Sequence, residues 1–223
     1  MKILKFGGTS VGTEENVRKI GEIILNQKDH VIVIVSALSG ITDQLLSIAR
    51  NAASGEETSA ELSKVRARHE DMTRALLLNK GSDQTIESLR QLFDELEKII
   101  QGVRLIGELT PKTLDKVLGF GERMSSLLIS RFLDVRLIDS ASLIRTDKAF
   151  GKANVDFDFT YRAIKEACSS LKKVAIAPGF ISSSAEGSLT TLGRGGSDYT
   201  AALFAAALNA RTLEIWTDRK SVV

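Results

Sequence analysis

Apolar and polar positions alternate along this chain in a way that divides it into an α/β opening, a helical middle and an α/β close. "ILKF" (Ile3–Phe6) has the short apolar signature of a strand and stops at Gly7-Gly8. From Thr13 or Glu14 the spacing becomes helical, with Val17, Ile20, Ile23 and Ile24 on one face. "HVIVIVS" (His30–Ser36) is a continuous β-branched run, the pattern of a strand covered on both faces. A strand, a helix and a second buried strand form a βαβ unit, which predicts a parallel sheet with right-handed crossovers.

From Ile41 to about Leu133 nearly everything predicts helix, with strong helix formers and spacing such as Leu89, Leu92, Phe93, Leu96, Ile99 and Ile100. Breaks fall at Ser54-Gly55, Lys80-Gly81 and Gly107, and Thr110-Pro111 supplies an N-cap followed by proline at the first helical position. The stretch of roughly 55–110 therefore predicts a helical insertion in an α/β frame. The α/β pattern resumes with a strand at "VRLIDS" (Val135–Ser140) and a polar, ribbon-like segment. A helix near Phe159–Ser170 and a buried strand at "KVAIAPGF" (Lys173–Phe180) come next. A hairpin is expected around Ala185-Glu186-Gly187, then an alanine-rich helix to Leu208 and a last strand, "TLEIWTD". No internal repeat is visible.

Composition narrows the classes. The 223 residues are 43% hydrophobic, enough for a sizeable core. Thirty basic against twenty-eight acidic residues give +2, and no basic stripe marks a nucleic-acid surface, so no nucleic-acid partner is expected. Neither a signal peptide nor a membrane span is visible, and the single cysteine, Cys168, excludes a disulfide framework. The expectation is a cytoplasmic domain without membrane partners. Cys168 and Trp216 are expected in the core, and His30 and His69, with no partner spacing for metal or catalysis, are expected to be structural or surface residues.

The polar and glycine-rich clusters fall where the predicted strands end: Lys5 to Ser10, Ser36 to Thr42, Gly179-Phe180 and Thr217-Asp218. In open α/β sheets that edge is where ligands bind. Gly7 and Gly8 would let backbone N–H groups approach an anion beside the Lys5 charge, although a Gly-Gly pair is also an ordinary tight turn. Neither G-x-x-x-x-G-K-[ST] nor G-x-G-x-x-G is present, so a P-loop enzyme or Rossmann dehydrogenase is unsupported. "GRGGSD" (Gly193–Asp198) opens the alanine-rich helix with Ser197 or Asp198 as N-cap, and its glycines leave the helix N–H groups approachable by an anion. Arg194 adds a two-pronged grip for a carboxylate or phosphate. Asp198 either caps the helix or serves a ligand that also carries positive charge, as an amino acid with Mg-nucleotide would. Glu122, in "GFGERMSS", reads by itself as a solvated carboxylate at a helix start.

Five blocks together resemble the amino-acid kinase family, and within it the aspartokinases: "KFGGTSV" (Lys5–Val11), "SALSGITD" (Ser36–Asp43), "GFGERMSSLL" (Gly119–Leu128), "TTLGRGGSDYTAAL" (Thr190–Leu203) and "EIWTD" (Glu214–Asp218). The resemblance implies a three-layer αβα sandwich on a mainly parallel sheet. It also implies ATP-dependent phosphorylation of the side-chain carboxylate of L-aspartate, with Mg2+ and in a homo-oligomer. Catalytic roles fall to Lys5 and Asp198, and substrate binding to Ser36, Thr42, Glu122 and Arg194. Nucleotide binding falls to Lys5, Gly7, Gly8, Thr217 and Asp218, with no protein-bound metal site. The family continues after Asp218 with further ATP contacts and regulatory ACT domains, whereas this chain ends in "RKSVV". That predicts a catalytic domain, 1–223, cut short at its C-terminal end, which folds at least partly and is a poor kinase alone.

Overall fold

Strand β2 (Val31–Val35) has all five residues buried and forms the middle of a five-stranded sheet. In this computed structural model, which describes residues 1–78, 81–171 and 173–217, β2 lies between β1 (Lys2–Phe6) and β5 (Val174–Pro178). The two-residue β3 (Arg136–Leu137) and β8 (Thr212–Trp216) close the edges, giving the order β3-β5-β2-β1-β8 with every pairing parallel.

Because successive strand residues point to opposite faces, the sheet makes two cores. Leu4, Phe6, Val31, Val33, Val35 and Ile176 face α1 (Glu14–Leu25) and the helical block α2 (Ile41–Ala53), α3 (Ser59–Leu77), α4 (Ser82–Ile106) and α5 (Pro111–Leu133). Ile3, Ile32, Ile34, Ala175 and Ala177 face α7 (Phe157–Cys168) and α8 (Gly196–Ala207). The result is the expected αβα sandwich. Each of the Leu, Ile, Val and Phe side chains, fully withdrawn from water, stabilises the fold by about 1.5–3 kcal/mol, and each alanine by less.

The helix boundaries follow local chemistry. Thr13 caps α1 by accepting from the Asn16 N–H, and Thr110 caps α5 through the Thr113 N–H, with Pro111 at the first position. Gly81 and Gly107 bound α4 at φ 76° and 73°, a left-handed conformation that glycine adopts without strain; Lys80 lies outside the described residues. A second, three-stranded sheet joins β4 (Arg145–Thr146), β6 (Ile181–Ser184) and β7 (Leu189–Thr191) in that order, the hairpin turning at Gly187.

Two local expectations, for "VRLIDS" and Trp216, are corrected, while His69 and Cys168 fall within theirs. "VRLIDS" pairs over only two exposed residues, because Asp139 caps the four-residue helix α6 (Ser140–Leu143) by accepting from the Ala141 N–H. Trp216 is 39% exposed, since β8 is an edge strand, and its indole stacks on Phe6 at 5.9 Å. His69 is buried: Nδ1–H donates to the Val65 carbonyl at 2.8 Å, and burial lowers its pKa to about 4. Cys168 is core as expected, with its thiol pushed up to about 11 by burial. No helix among the described residues is long and apolar enough to cross a membrane.

Candidate active site

The strand register aligns Phe6 with Val35 and Trp216, and Val35 with Pro178. The segments beginning at Gly7, Ser36, Gly179 and Thr217 therefore leave the sheet along one carboxyl edge, which gathers the polar clusters of the sequence in space. Strand parity does the rest for Lys5: flanked by Leu4 and Phe6, which face the helical block, it points to the α8 side. There Lys5 Nζ meets Asp198 Oδ1, in the first turn of α8, at 2.7 Å. The lysine side chain is largely covered and the aspartate about half exposed.

The loop leading to α8 is built from backbone geometry. Gly193 and Gly195 sit at φ 74° and 75°, where a side chain would be strained. The cap position is Gly195, so neither Ser197 nor Asp198 caps the helix as the sequence suggested; both lie inside its first turn. No side chain caps α8, and its N-terminal dipole faces the cavity. The end of α8 is clamped by the turn after β5. Phe180 adopts φ 66° and its N–H donates to Thr200 Oγ1 at 3.0 Å, while its carbonyl accepts from the Leu192 N–H at 2.9 Å. A non-glycine residue in this region persists only when its surroundings hold it.

Glu122 belongs to the middle of α5, with 4% of its surface exposed, and is not at a helix start. The flanking glycines serve packing: a Cβ on Gly119 would lie 3.0 Å from Leu189 Cδ2, and one on Gly121 would lie 2.8 Å from Ala37 Cβ. Burial pushes the Glu122 carboxyl up to about 8, although a backbone hydrogen bond from Ala37 opposes the shift. Its Oε2 has no hydrogen-bond partner among the described residues. Ser36, Thr42, Glu122, Lys5, Arg194 and Asp198 line one cavity of about 280 Å³, with Phe180 and the Gly193–Ser197 turn completing the wall. Arg194 is exposed and makes no ion pair among the described residues. The cavity thus combines two cations, one half-exposed carboxylate, an uncapped helix end and one buried acid with an unpartnered oxygen.

The nucleotide-binding expectations fare differently. Gly7 donates its N–H to the Trp216 carbonyl at 3.4 Å, continuing the β1–β8 ladder, so that amide is already engaged by protein. A Cβ on Gly8 would press on the Ala37 carbonyl at 3.0 Å, so this glycine is needed for loop-to-loop packing. Thr217 lines a separate cavity of about 340 Å³ on the α1 side, with Phe6, Thr9, Ser10, Asn16 and Lys19. Asp218 lies outside the described residues.

Compared with known families, residues 1–223 match the amino acid kinase family. The chain belongs to this family. Among curated relatives, the lysine-sensitive aspartokinase 3 of Escherichia coli K12 is 32% identical over 228 residues, covering 97% of this chain and 48% of the relative. The crystal structure of E. coli aspartokinase III with lysine and aspartate superimposes with a TM-score of 0.85 at 31% identity, covering 98% of this chain and 49% of that one. The complex of the same enzyme with aspartate and ADP gives a TM-score of 0.83, at the same identity and coverage. The chain spans about half the length of these aspartokinases.

Two residues of this amino acid kinase domain escaped sequence reasoning. Arg68, on α3, donates to the carbonyls of Ser39 at 2.7 Å and Gly12 at 3.2 Å, tying together the loops that follow β1 and β2. Asp115, on α5, is 2% exposed and accepts from Gly151 and Thr191. Both sit in ordinary helical sequence, where no local signal separates them from other surface charges.

Proposed function

We propose that this domain catalyses ATP-dependent phosphorylation of the side-chain carboxylate of L-aspartate, giving 4-phospho-L-aspartate. One observation carries the reading: a single cavity presents a guanidinium, Arg194, and a buried carboxyl oxygen of Glu122, both unpaired among the described residues, beside the Lys5–Asp198 pair. An α-amino acid carries the complementary pair of groups. Arg194 grips its carboxylate in two-pronged fashion, and Glu122 accepts its ammonium. The arriving cation favours the ionised form of Glu122, reversing the effect of burial. Ser36 and Thr42 supply hydroxyls to the same wall.

The chemistry needs no general base, because an aspartate side chain with a pKa of roughly 3.9 is ionised at neutral pH. The obstacle is repulsion between that carboxylate and a triphosphate, so charge compensation and alignment carry catalysis. A carboxylate oxygen attacks the γ-phosphorus, the bond to the ADP oxygen breaks, and ADP leaves. Lys5 Nζ and the α8 N-terminus place positive charge where the phosphoryl oxygens gather it, and Asp198 keeps the lysine in place. Mg2+ fits as a cation carried by the nucleotide's phosphates, near Asp198, the half-exposed carboxylate of the cavity that also pairs with Lys5.

A coupled ADP-release assay on the full-length protein tests this against L-aspartate, L-glutamate, N-acetylglutamate and carbamate. Turnover dependent on L-aspartate, with an acyl phosphate trapped by hydroxylamine, is expected. Preference for an acceptor without an α-ammonium group would overturn the reading.

A further inference from the structure

Asp115 is a carboxylate with no basic partner among the described residues, held almost wholly inside the protein. Three neutral donors satisfy it. Oδ2 accepts from the backbone N–H groups of Gly151 and Thr191, each at 2.9 Å, and Oδ1 accepts from Thr191 Oγ1 at 2.8 Å. Two of these donors belong to Thr191, the last residue of β7, three positions before Arg194. The third, Gly151, underlies the same turn, its carbonyl lying 3.1 Å from where a Cβ on Gly193 would be.

The placement of Asp115 on α5 gives these bonds their meaning. Positions 115, 119 and 122 have the i, i+4, i+7 spacing of a single helical face. Asp115 binds the end of β7, Gly119 lies against Leu189 of β7 and Ile181 of β6, and Glu122 reaches the cavity. Seven residues of helix separate Asp115 from Glu122 by roughly 10 Å. One rigid element therefore carries Glu122 directly and fixes, through Asp115 and Thr191, the root of the turn that carries Arg194.

We propose that Asp115 is a positioning residue that sets the separation between Arg194 and Glu122, and through it the fit of an α-amino acid's carboxylate and ammonium. The proposal rests on the substrate reading above. Its mechanism uses acceptor geometry and not charge. An asparagine at 115 can keep its carbonyl oxygen on the two N–H groups and turn its amide NH2 toward Thr191 Oγ1, which then accepts. Alanine leaves both amides and the hydroxyl buried without a partner.

The test uses the full-length protein with Asp115→Asn, Asp115→Ala and Thr191→Val, each checked by thermal melting. In Asp115→Ala the KM for L-aspartate should rise about tenfold or more while the KM for ATP stays within about twofold, a split that general loosening of the fold would not give. Asp115→Asn should restore the wild-type value. Amide hydrogen exchange of the peptide through 191–198 should quicken in the alanine variant and not in the asparagine variant, a readout that needs no substrate. If the alanine variant fails to fold, Thr191→Val decides, with an expected rise in aspartate KM of about threefold. An unchanged aspartate KM and unchanged exchange in a folded Asp115→Ala or Thr191→Val protein would overturn the proposal, as would an asparagine variant as damaged as the alanine one. If the wild type ignores aspartate but the loop exchange responds as described, the substrate reading falls and the positioning role stands.

Discussion

Lys5 Nζ lies 2.7 Å from Asp198 Oδ1, which links the first strand of the sheet to the first turn of the last helix. The lysine is mostly buried at the edge where phosphate oxygens would gather charge. Lys5→Met should therefore remove mostly turnover, by about 2–4 kcal/mol in activation free energy, the scale of one preorganised electrostatic contact. Single-turnover measurements with saturating ATP and aspartate check this. Near-normal turnover would make the lysine a bystander.

Arg194→Ala should chiefly weaken aspartate binding, because the side chain is exposed in the cavity and makes no ion pair among the described residues. The aspartate KM is expected to rise by a factor of about 10–100, the range for removing a charge-assisted pair. Arg194→Lys should recover only part, since an ammonium lacks the two-pronged geometry. Loss of ATP binding with aspartate binding intact would contradict the role.

Glu122 should make both binding and stability depend on pH. With its carboxyl held at about 8 in the free protein, the acid is mostly protonated at pH 7 and must ionise to accept an ammonium. Aspartate affinity should rise from pH 6.5 to pH 8.5, and calorimetry in buffers of different ionisation enthalpy should show proton release on binding. Stability runs the other way. The folded protein binds this proton more tightly than the unfolded chain does, so the contribution of Glu122 is full below the ordinary glutamate pKa and is lost as pH rises through about 8. Glu122→Gln should accordingly raise the melting temperature of the free protein at pH 8.5 relative to pH 5 while abolishing the pH dependence of binding. A wild-type affinity that is flat over this range would refute the assignment.

Gly179→Ala should damage the site from behind. The added methyl would lie 2.6 Å from Ser197 Cβ and 2.8 Å from its Cα, so the start of α8 has to move. A stability loss of about 1–3 kcal/mol is expected from overpacking, together with a raised aspartate KM. Ser197→Gly in the same protein should relieve only part of the clash, because the Cα remains. Wild-type melting and kinetics in the single variant would show that α8 has more room than its packing indicates.

The sheet was legible because burial is written directly into "VIVIV" and "VAIAP", and because loops after parallel strands share one edge. The cavity's charged residues were legible for the same reason, as each stands at a strand end or beside glycines. Glu122 was misread. By itself it reads as a helix-start carboxylate next to two glycines, whereas tertiary packing against Leu189 and Ala37 uses the small size of Gly119 and Gly121 inside an uninterrupted helix. The cap of α8 was misread because Gly195, at positive φ, ends the turn before Ser197 is reached. Trp216 looked like core because its size implies burial, yet an edge strand covers only one side of it. Asp115 and Arg68 could not be found from the sequence, since their partners lie at distant positions and all but the Thr191 hydroxyl are backbone groups, which leave no residue-type signature.

The pairing of β1 with β8 also has a consequence for how the protein comes into being. Lys2 and Glu214 touch across 212 positions of sequence, so β1 is made long before the strand it pairs with. Closing a loop of that length costs on the order of 5 kcal/mol in chain entropy, recovered only when the β1–β8 ladder and the α8 packing form together. Lys5 and Asp198 come from the two ends of that loop. A ribosome-bound chain can build the βαβ opening and the helical block while the lysine still lacks its aspartate. The candidate site thus assembles only after α8 and β8 have been made, and in a nascent chain its cavity stays incomplete until then.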